Sequence, residues 1–383
     1  MIGNNFVTAF IADIHFGAMN ANSLYHQLEE NFLKVIDGKM IDMIVIGGDF
    51  FHNIITMNYS TSHLSLIFMK NLVDNAVKNG VKYIRVIQGT ISHDNNQLNN
   101  FRMYENRDDI SFKIIMKVTE EDLYEGLKIL YIPEEYMKDY ESYYEDYFNI
   151  DKKYDFIFGH GMVREVAFVA KEQLSENTMS KAPVFDSKKL INICKGPIYF
   201  GHIHTFTNVR KHLFYPGSFS RFKHGEEEDK GWFLNIYNIK SNKYIHEFIR
   251  NDLAPRYITI TFSLNENNKE KPYDIVKSIN SIEADNVRVI LIFDSTCGDF
   301  SYTIRYISEY FSNSQAIKIE LADVNKDIKN FEERNELVDT MEEYGFVFDD
   351  KLSNFQKIQR FIKVKNNKDV PIELIKDELS ALS

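Results

Sequence analysis

Five stretches of the chain share one pattern, a short apolar run that closes on a side chain able to bind a metal. They are FVTAFIADIH (6–15), MIVIGGDFFH (43–52), YIRVIQGTISHD (83–94), YDFIFGH (154–160) and PIYFGHIH (197–204). Each run is rich in Val, Ile and Phe and bounded by Gly or Asp, which predicts a buried strand. Strands of an open α/β sheet deliver their functional side chains just beyond their carboxyl ends. Laid side by side, the five would gather Asp13, His15, Asp49, His52, His93, Asp94, His160, His202 and His204 at one rim.

Helical patterns separate the runs, giving the alternation of an α/β domain. Between residues 60 and 79, Leu64, Ile67, Phe68, Leu72, Val73 and Ala76 recur at helical spacing, and Gly80 follows as a stop. Leu66 and Met69 are expected elsewhere on that helix, as part of a broad core face or as a second face for self-association. An acidic, tyrosine-rich stretch, EEYMKDYESYYEDYF (134–148), reads as an insertion. The segments from HLFYPGSFS to KYIHEFIR predict hairpin strands around a Pro216–Gly217 turn.

The pattern changes at NDLAPRY (251–257), where a second, smaller α/β unit begins. It alternates the strands YITITFSL, VRVILIFD and AIKIEL with helices near 273–284 and 300–312, and it has no cluster of His or carboxylate. The tail carries an acidic helical stretch whose stripe is Phe331, Val338 and Met341. A basic amphipathic stretch follows at 351–368, with Lys351, Lys357, Arg360, Lys363, Lys365 and Lys368 beside Leu352, Phe355, Ile358 and Ile362. Such a segment docks on a partner, a membrane surface or its own chain. The expected domains are 1–254, 255–326 and 327–383.

Composition narrows the class without choosing the chemistry. The 383 residues are 44% hydrophobic and 26% charged, ordinary for a protein with a sizeable core. Cys194 and Cys297 are the only cysteines and form no metal or disulfide pattern, so a reducing cytoplasm is expected. MIGNNFVTAF lacks the regions of a signal peptide, and no apolar run is long enough to span a bilayer. A net charge of −11 argues against general attraction to nucleic acid, although bound cations would offset carboxylates at the rim.

Imidazole and carboxylate together suit Mn, Fe, Zn or Ni. Nine such groups exceed the three or four ligands of one zinc site, which predicts a binuclear metalloenzyme. Asp13 and Asp49 read alternatively as helix caps after a strand. His26, His63, His212, His224 and His246 read as solvated or capping residues. Arg210-Lys211-His212 and Arg221-Phe222-Lys223-His224 read equally as a nucleic-acid path or as solvated turns.

Taken together, D-x-H, GGDFFH, the G-x-x-S-H-D loop, GHG and GHIH resemble the calcineurin-like metallophosphoesterases. Within them the likeness is to SbcD-type DNA repair exonucleases, in their phage and bacterial branch, and it covers most of residues 1–255. GDFFH, the His93-Asp94 ending and the YPGS and HGEEEDKGW runs carry it. The resemblance implies a metallophosphoesterase β-sandwich flanked by helices, a smaller α/β capping domain and a helical tail. It implies two divalent ions, Mn²⁺ ahead of Mg²⁺. Asp13, His15 and His204 would hold one ion, His160 and His202 the other, with Asp49 bridging. His93 would act as general acid, His52 would approach the phosphate from the opposite side, and Asp94 would orient His93.

The family's loop reads G-N-H-D, with an Asn ligand. Here it is longer, Gly89-Thr90-Ile91-Ser92-His93-Asp94, and Ser92 stands in the place of that Asn. Ser92, Asn95, Asn96 or a water would complete the second site. The implied function is Mn²⁺-dependent exo- and endonucleolytic cleavage of DNA in repair or recombination. The implied partners are DNA, an SbcC-type coiled-coil ATPase bound by the tail, and a second copy in a homodimer, with no membrane. The rival reading is a stand-alone phosphoesterase acting on nucleotides or phosphoproteins.

Overall fold

The structure is a computed structural model that describes residues 4–54, 59–123, 126–137, 139–166, 182–268, 271–323 and Gln359. The fold is α/β. The chain divides into one unit of Met1–Ile258 with Ala284–Asn286, and a second of Thr259–Glu283 with Val287–Ser383.

In the first unit the strands are β1 (Asn5–Ile11), β2 (Met43–Gly47), β3 (Tyr83–Ile87), β4 (Ser111–Ile115), β5 (Thr119–Asp122), β6 (Lys128–Ile132), β7 (Phe156–His160), β8 (Met162–Val163), β9 (Val184–Phe185), β10 (Ile198–Gly201), β11 (Thr207–Arg210), β12 (Leu213–Tyr215), β13 (Gly231–Asn238) and β14 (Lys243–Arg250). They do not lie in one sheet. One six-stranded sheet has the order β14-β13-β1-β2-β3-β4, and a second has β11-β12-β10-β7-β6-β5. The five metal-bearing runs therefore divide three and two, with β1, β2 and β3 parallel in one sheet and β7 and β10 parallel in the other.

The two sheets pack face to face through a core containing Phe6, Phe10, Val45, Tyr131, Phe156, Phe158 and Tyr199. Phe10 stacks on Phe158 and Tyr199 with ring centroids 5.7 and 5.4 Å apart. The outer faces are also apolar, as near-continuous hydrophobic runs require when a strand is buried on both sides. Helix α1 (Ala21–Leu28), capped by the Asn20 side chain, and helix α2 (Tyr59–Lys78) cover the first sheet. Helices α3 (Tyr140–Tyr144) and α4 (Ser187–Ile193) bring Tyr144, Leu190 and Ile193 against the second. The result is four layers, helix, sheet, sheet, helix.

Met69, off the main stripe of α2, is fully buried with Phe68 and Leu72, as the broad core face expects, whereas Leu66 is 42% exposed. The packed face is wider than a single stripe and covers Ile44, Ile46, Ile84 and Val86. Part of the stretch expected as an insertion is core as well, since Tyr144 packs among Val163, Phe185 and Leu190. The turn at Pro216–Gly217 joins no hairpin. β12 pairs with β11 and β10 in the second sheet, and the chain then crosses to β13, whose hairpin partner is β14. Gly217, at φ +81°, makes that crossing possible because a Cβ there would stand 2.6 Å from the His204 carbonyl oxygen.

The second unit has strands β15 (Tyr257–Ser263), β16 (Asn286–Phe293) and β17 (Ile317–Asp323) in that order, with β16 and β17 parallel. Helices α5 (Pro272–Asn280) and α6 (Ser301–Tyr310) supply buried Ile275, Val276, Ile279 and Ile307. The tail stretches around 327–358 and 360–383 lie outside the described residues. Among the described residues no helix is long and apolar enough to cross a membrane.

Candidate metal centre

The carboxyl ends of β1, β2, β3, β7 and β10 meet where the two sheets come closest. Glycine permits the approach. A Cβ on Gly201 would lie 2.3 Å from the Gly47 carbonyl oxygen, and one on Gly48 would lie 2.2 Å from His160 Nδ1. The chain leaves three of these strands in left-handed conformation at non-glycine residues, with φ of 51° at Asp13, 54° at His15, 49° at Asp49 and 98° at His202. Such angles are uncommon for any residue but Gly, with Asn, Asp and His accepting them most readily, and they gather at functional sites.

Asp49 is the hub. Its Oδ1 accepts from the Thr90 backbone N–H at 2.6 Å and lies 3.3 Å from His160 Nε2. Its Oδ2 lies 2.9 Å from His93 Nδ1, 3.7 Å from His15 Nε2 and 3.2 Å from the Thr90 hydroxyl. His15 Nε2 and His204 Nε2 face each other at 2.9 Å, and Asp13 stands beside them, 4.0 Å from His15. Among the described residues three groups at this rim converge closely enough to hold a cation, namely Asp13, His15 and His204; Asp49, His160 and His202; and His15, Asp49 and His93.

The rings are oriented from outside. His160 Nδ1 lies 2.9 Å from the Gly47 carbonyl oxygen, to which it donates, so on the neutral ring Nε2 is the lone-pair nitrogen facing Asp49. His204 Nδ1 meets the buried Glu226 carboxylate at 2.8 Å, and Glu226 also accepts from the Phe222 N–H. Lys230, itself buried, fixes the same loop by donating to the His204 carbonyl oxygen. The sequence named none of these tethers. Glu226→Ala is expected to weaken divalent-metal binding by about 10- to 100-fold. A calorimetric Mn²⁺ titration checks it, and unchanged affinity would remove the tether from the account.

Burial is the largest influence on every buried charge here. It raises the Asp13 carboxyl and pushes the His15 imidazole well below its usual value. At Asp49 burial is outweighed by His160, His93 and His15, which hold the carboxyl well below the usual range. At His160 it is outweighed in turn by the charge and hydrogen bond of Asp49, with Asp13 and Glu134 behind, and the ring is pushed up to about 10. Without metal, a proton on His160 thus supplies the positive charge that this pocket of carboxylates demands. A bound metal would take the place of that proton, because a ligand imidazole is neutral.

No family model and no curated protein matches the chain. Among solved structures, a cold-active protein-tyrosine phosphatase of the psychrophile Shewanella sp. is similar at 12% identity and a TM-score of 0.30, covering 64% of this chain and 78% of that one. The glutamine-dependent NAD⁺ synthetase of Acinetobacter baumannii, solved with ADP, is similar at 8% identity and a TM-score of 0.32, covering 95% of this chain and 71% of that one. Neither likeness is strong enough to speak for the chemistry, which rests on the residues themselves.

Of the residues expected from sequence, Asp13, His15, Asp49, His93, His160, His202 and His204 come together. His52 stands at the open side, its Nδ1 3.5 Å from His15 Nδ1 and its ring 5.7 Å from that of His93. Asp94 is fully buried but does not orient the His93 ring. It accepts from the Phe51 and Gly89 backbone N–H groups at 3.0 and 2.7 Å, locking the loop to the end of β2. Burial and the Asp49 charge push its carboxyl up to about 7. Ser92 is exposed, and the hydroxyl that faces Asp49 belongs to Thr90.

A residue missed by the sequence reading stands here too. Glu134, 1% exposed, places Oε2 3.1 Å from His202 Nδ1, 3.8 Å from His160 Nε2 and 3.4 Å from the Thr90 hydroxyl. The two basic turns separate as well. Arg210 is held by Glu165 and Ser187, and Arg221 by the Glu228 and Ala254 carbonyl oxygens, whereas Lys223 is exposed.

Proposed function

We propose that this chain is a two-metal phosphodiesterase of the calcineurin-like type, working as the nuclease subunit of an SbcCD-like complex on DNA. The observation that carries the reading is the sharing of Asp49 between two ligand groups, one reached from His15 and one from His160 and His202. The four-layer fold supports it, with the ligands at the facing ends of two sheets. The donor set fits a metal. Among the described residues His202 Nε2 is buried without a hydrogen-bond partner, and His160 Nε2 and His202 Nδ1 face only carboxylate oxygens, a costly state for polar atoms unless a cation bonds there.

Asp13, His15 and His204 would hold one ion, His160 and His202 the other, with Asp49 between them. Bound Mn²⁺ or Mg²⁺ would polarise the phosphoryl oxygens and neutralise the charge that develops on them. The protein's own part is positioning and proton transfer. Asp49 holds His93 through Nδ1, which leaves Nε2 free to give a proton to the departing 3′ oxygen as the P–O bond breaks and water adds to phosphorus. His52, at the open side, would face the phosphate. Lys223, whose charge reaches His52, would meet a backbone phosphate of a polymer substrate.

The test is cleavage of end-labelled linear duplex and single-stranded DNA in Mn²⁺, beside an aryl phosphodiester and an aryl phosphomonoester. DNA degradation that chelator abolishes is the expected result. Hydrolysis of the small esters alone would replace the nuclease reading with a small-substrate phosphoesterase. A second arm uses the chain lacking residues 327–383, which is expected to lose capture by an SbcC-type ATPase while still cutting single strands in Mn²⁺. Retained capture would sink the proposed docking role of the tail.

A further inference from the structure

Glu134 follows β6 in the run LKILYIPEE and belongs to no motif of the resemblance. We propose that Glu134 is a direct ligand of the ion at His160 and His202, a carboxylate standing where the resembling family uses a neutral amide. The inference rests on the two-metal reading above and concerns how its second site is completed.

Position is the first argument. Register brings Ile132 opposite Gly159 in the parallel pair of β6 and β7, so the chain two residues on arrives beside His160. Glu134 Oε2 then faces His202 at 3.1 Å and His160 at 3.8 Å, the two imidazoles that Asp49 also serves. Among the described residues its other oxygen, Oε1, is buried with no hydrogen-bond partner. Tyr136 stands beside this carboxylate, and after burial the charge and hydrogen bond of Glu134 raise its phenol. A buried carboxylate with one oxygen unpaired and the other set among ligand nitrogens is a donor suited to a cation.

Charge is the second argument. Asp13, Asp49 and Glu134 are all at least 98% buried, and among the described residues their ion pairs are to histidines. Lys230 is committed to the His204 carbonyl oxygen and Glu228. If the histidines are ligands they are neutral, and buried carboxylates left without cations are strongly destabilising. Two divalent ions would supply that balance. The Thr90 hydroxyl cannot, because its single proton reaches either Asp49 or Glu134 and not both. Ser92, exposed, does not take the place of the missing amide. A second carboxylate oxygen at this site also makes it harder, favouring Mn²⁺ and Mg²⁺ over softer ions.

The experiment is Mn²⁺ binding to the full chain after chelator treatment, read by calorimetry and by the spin-coupled electron paramagnetic resonance signal of a Mn pair. Wild type, Glu134→Gln and Glu134→Asp are compared, with circular dichroism to confirm folding. The wild type is expected to bind two ions. Both variants should keep one tight ion, bind the second at least tenfold more weakly and lose the coupled signal. Glu134→Asp retains the charge and draws the carboxylate back, so it serves if Glu134→Gln does not fold. Two ions bound with wild-type affinity in the folded variants would overturn the proposal. So would a lower melting temperature of the chelated Glu134→Gln protein with Mn²⁺ binding untouched, which marks a mere counter-charge for His202. A wild type that binds fewer than two ions would instead bring down the two-metal reading itself.

Discussion

Asp49→Asn is expected to abolish hydrolysis, lowering kcat by at least about 10³-fold, while leaving the fold in place. The substitution is chosen to separate charge from shape. An Asn side chain presents an oxygen where Oδ1 accepts from the Thr90 N–H, so the loop after β3 keeps its anchor. It replaces the oxygen that faces His93, His15 and the Thr90 hydroxyl with an N–H₂ group that cannot bond a cation. Both ligand groups that contain Asp49 lose their shared member at once. Circular dichroism should match the wild type, and Mn²⁺ titration should show loss of the paired ions. A folded Asp49→Asn protein that binds two ions and cleaves at the normal rate would remove Asp49 from the bridging position.

The legible part of this centre is the part written at strand ends. A buried strand must be apolar for its whole length, so a His or Asp directly after it announces where the chain turns toward a functional rim. Asp13, His15, Asp49, His160, His202 and His204 were readable on that rule alone. The division of the strands between two sheets was not, because Val, Ile and Phe runs buried on both faces look alike in either sheet. Facing sheets need bulky rings between them, and Phe10, Phe158 and Tyr199 supply these, but only pairing register shows that they meet.

The loop after β3 shows a different limit. The likeness to the G-N-H-D loop put Ser92 in the place of the Asn ligand, with Asn95, Asn96 or a water as alternatives. The loop is in fact pinned from its other end, where a Cβ on Gly89 would stand 2.2 Å from the Asp49 backbone nitrogen. The residue after that glycine, Thr90, therefore bonds Asp49 by both its N–H and its hydroxyl. Glu134 escaped for a simpler reason. KILYI is an apolar run ending near a carboxylate, the same pattern as the other five, but no His accompanies it and the acidic stretch beyond drew it into an apparent insertion. The tethers Glu226 and the Gly47 carbonyl oxygen act from loops and backbone, where sequence pattern says little about distance.

His93→Ala is the second large effect, and it separates proton transfer from metal holding. It is expected to lower kcat on DNA by about 10²- to 10⁴-fold with KM and Mn²⁺ affinity unchanged. The geometry admits both roles, since His93 belongs to one of the convergent groups with His15 and Asp49. Two features favour the proton. Its Nδ1 is spent on Asp49, and Asp49 already serves His15 and His160. Its side chain is also 27% exposed, unlike the buried His15 and His160, so it stands where substrate arrives. Removing a ligand would loosen metal and raise the metal concentration needed for half-maximal rate, whereas removing an acid leaves that concentration alone. The deficit should also shrink on a substrate whose leaving group needs no proton, such as a nitrophenyl phosphodiester. A His93→Ala protein equally impaired on both substrates, with weakened Mn²⁺ binding, would make His93 a ligand and leave the departing oxygen without its donor.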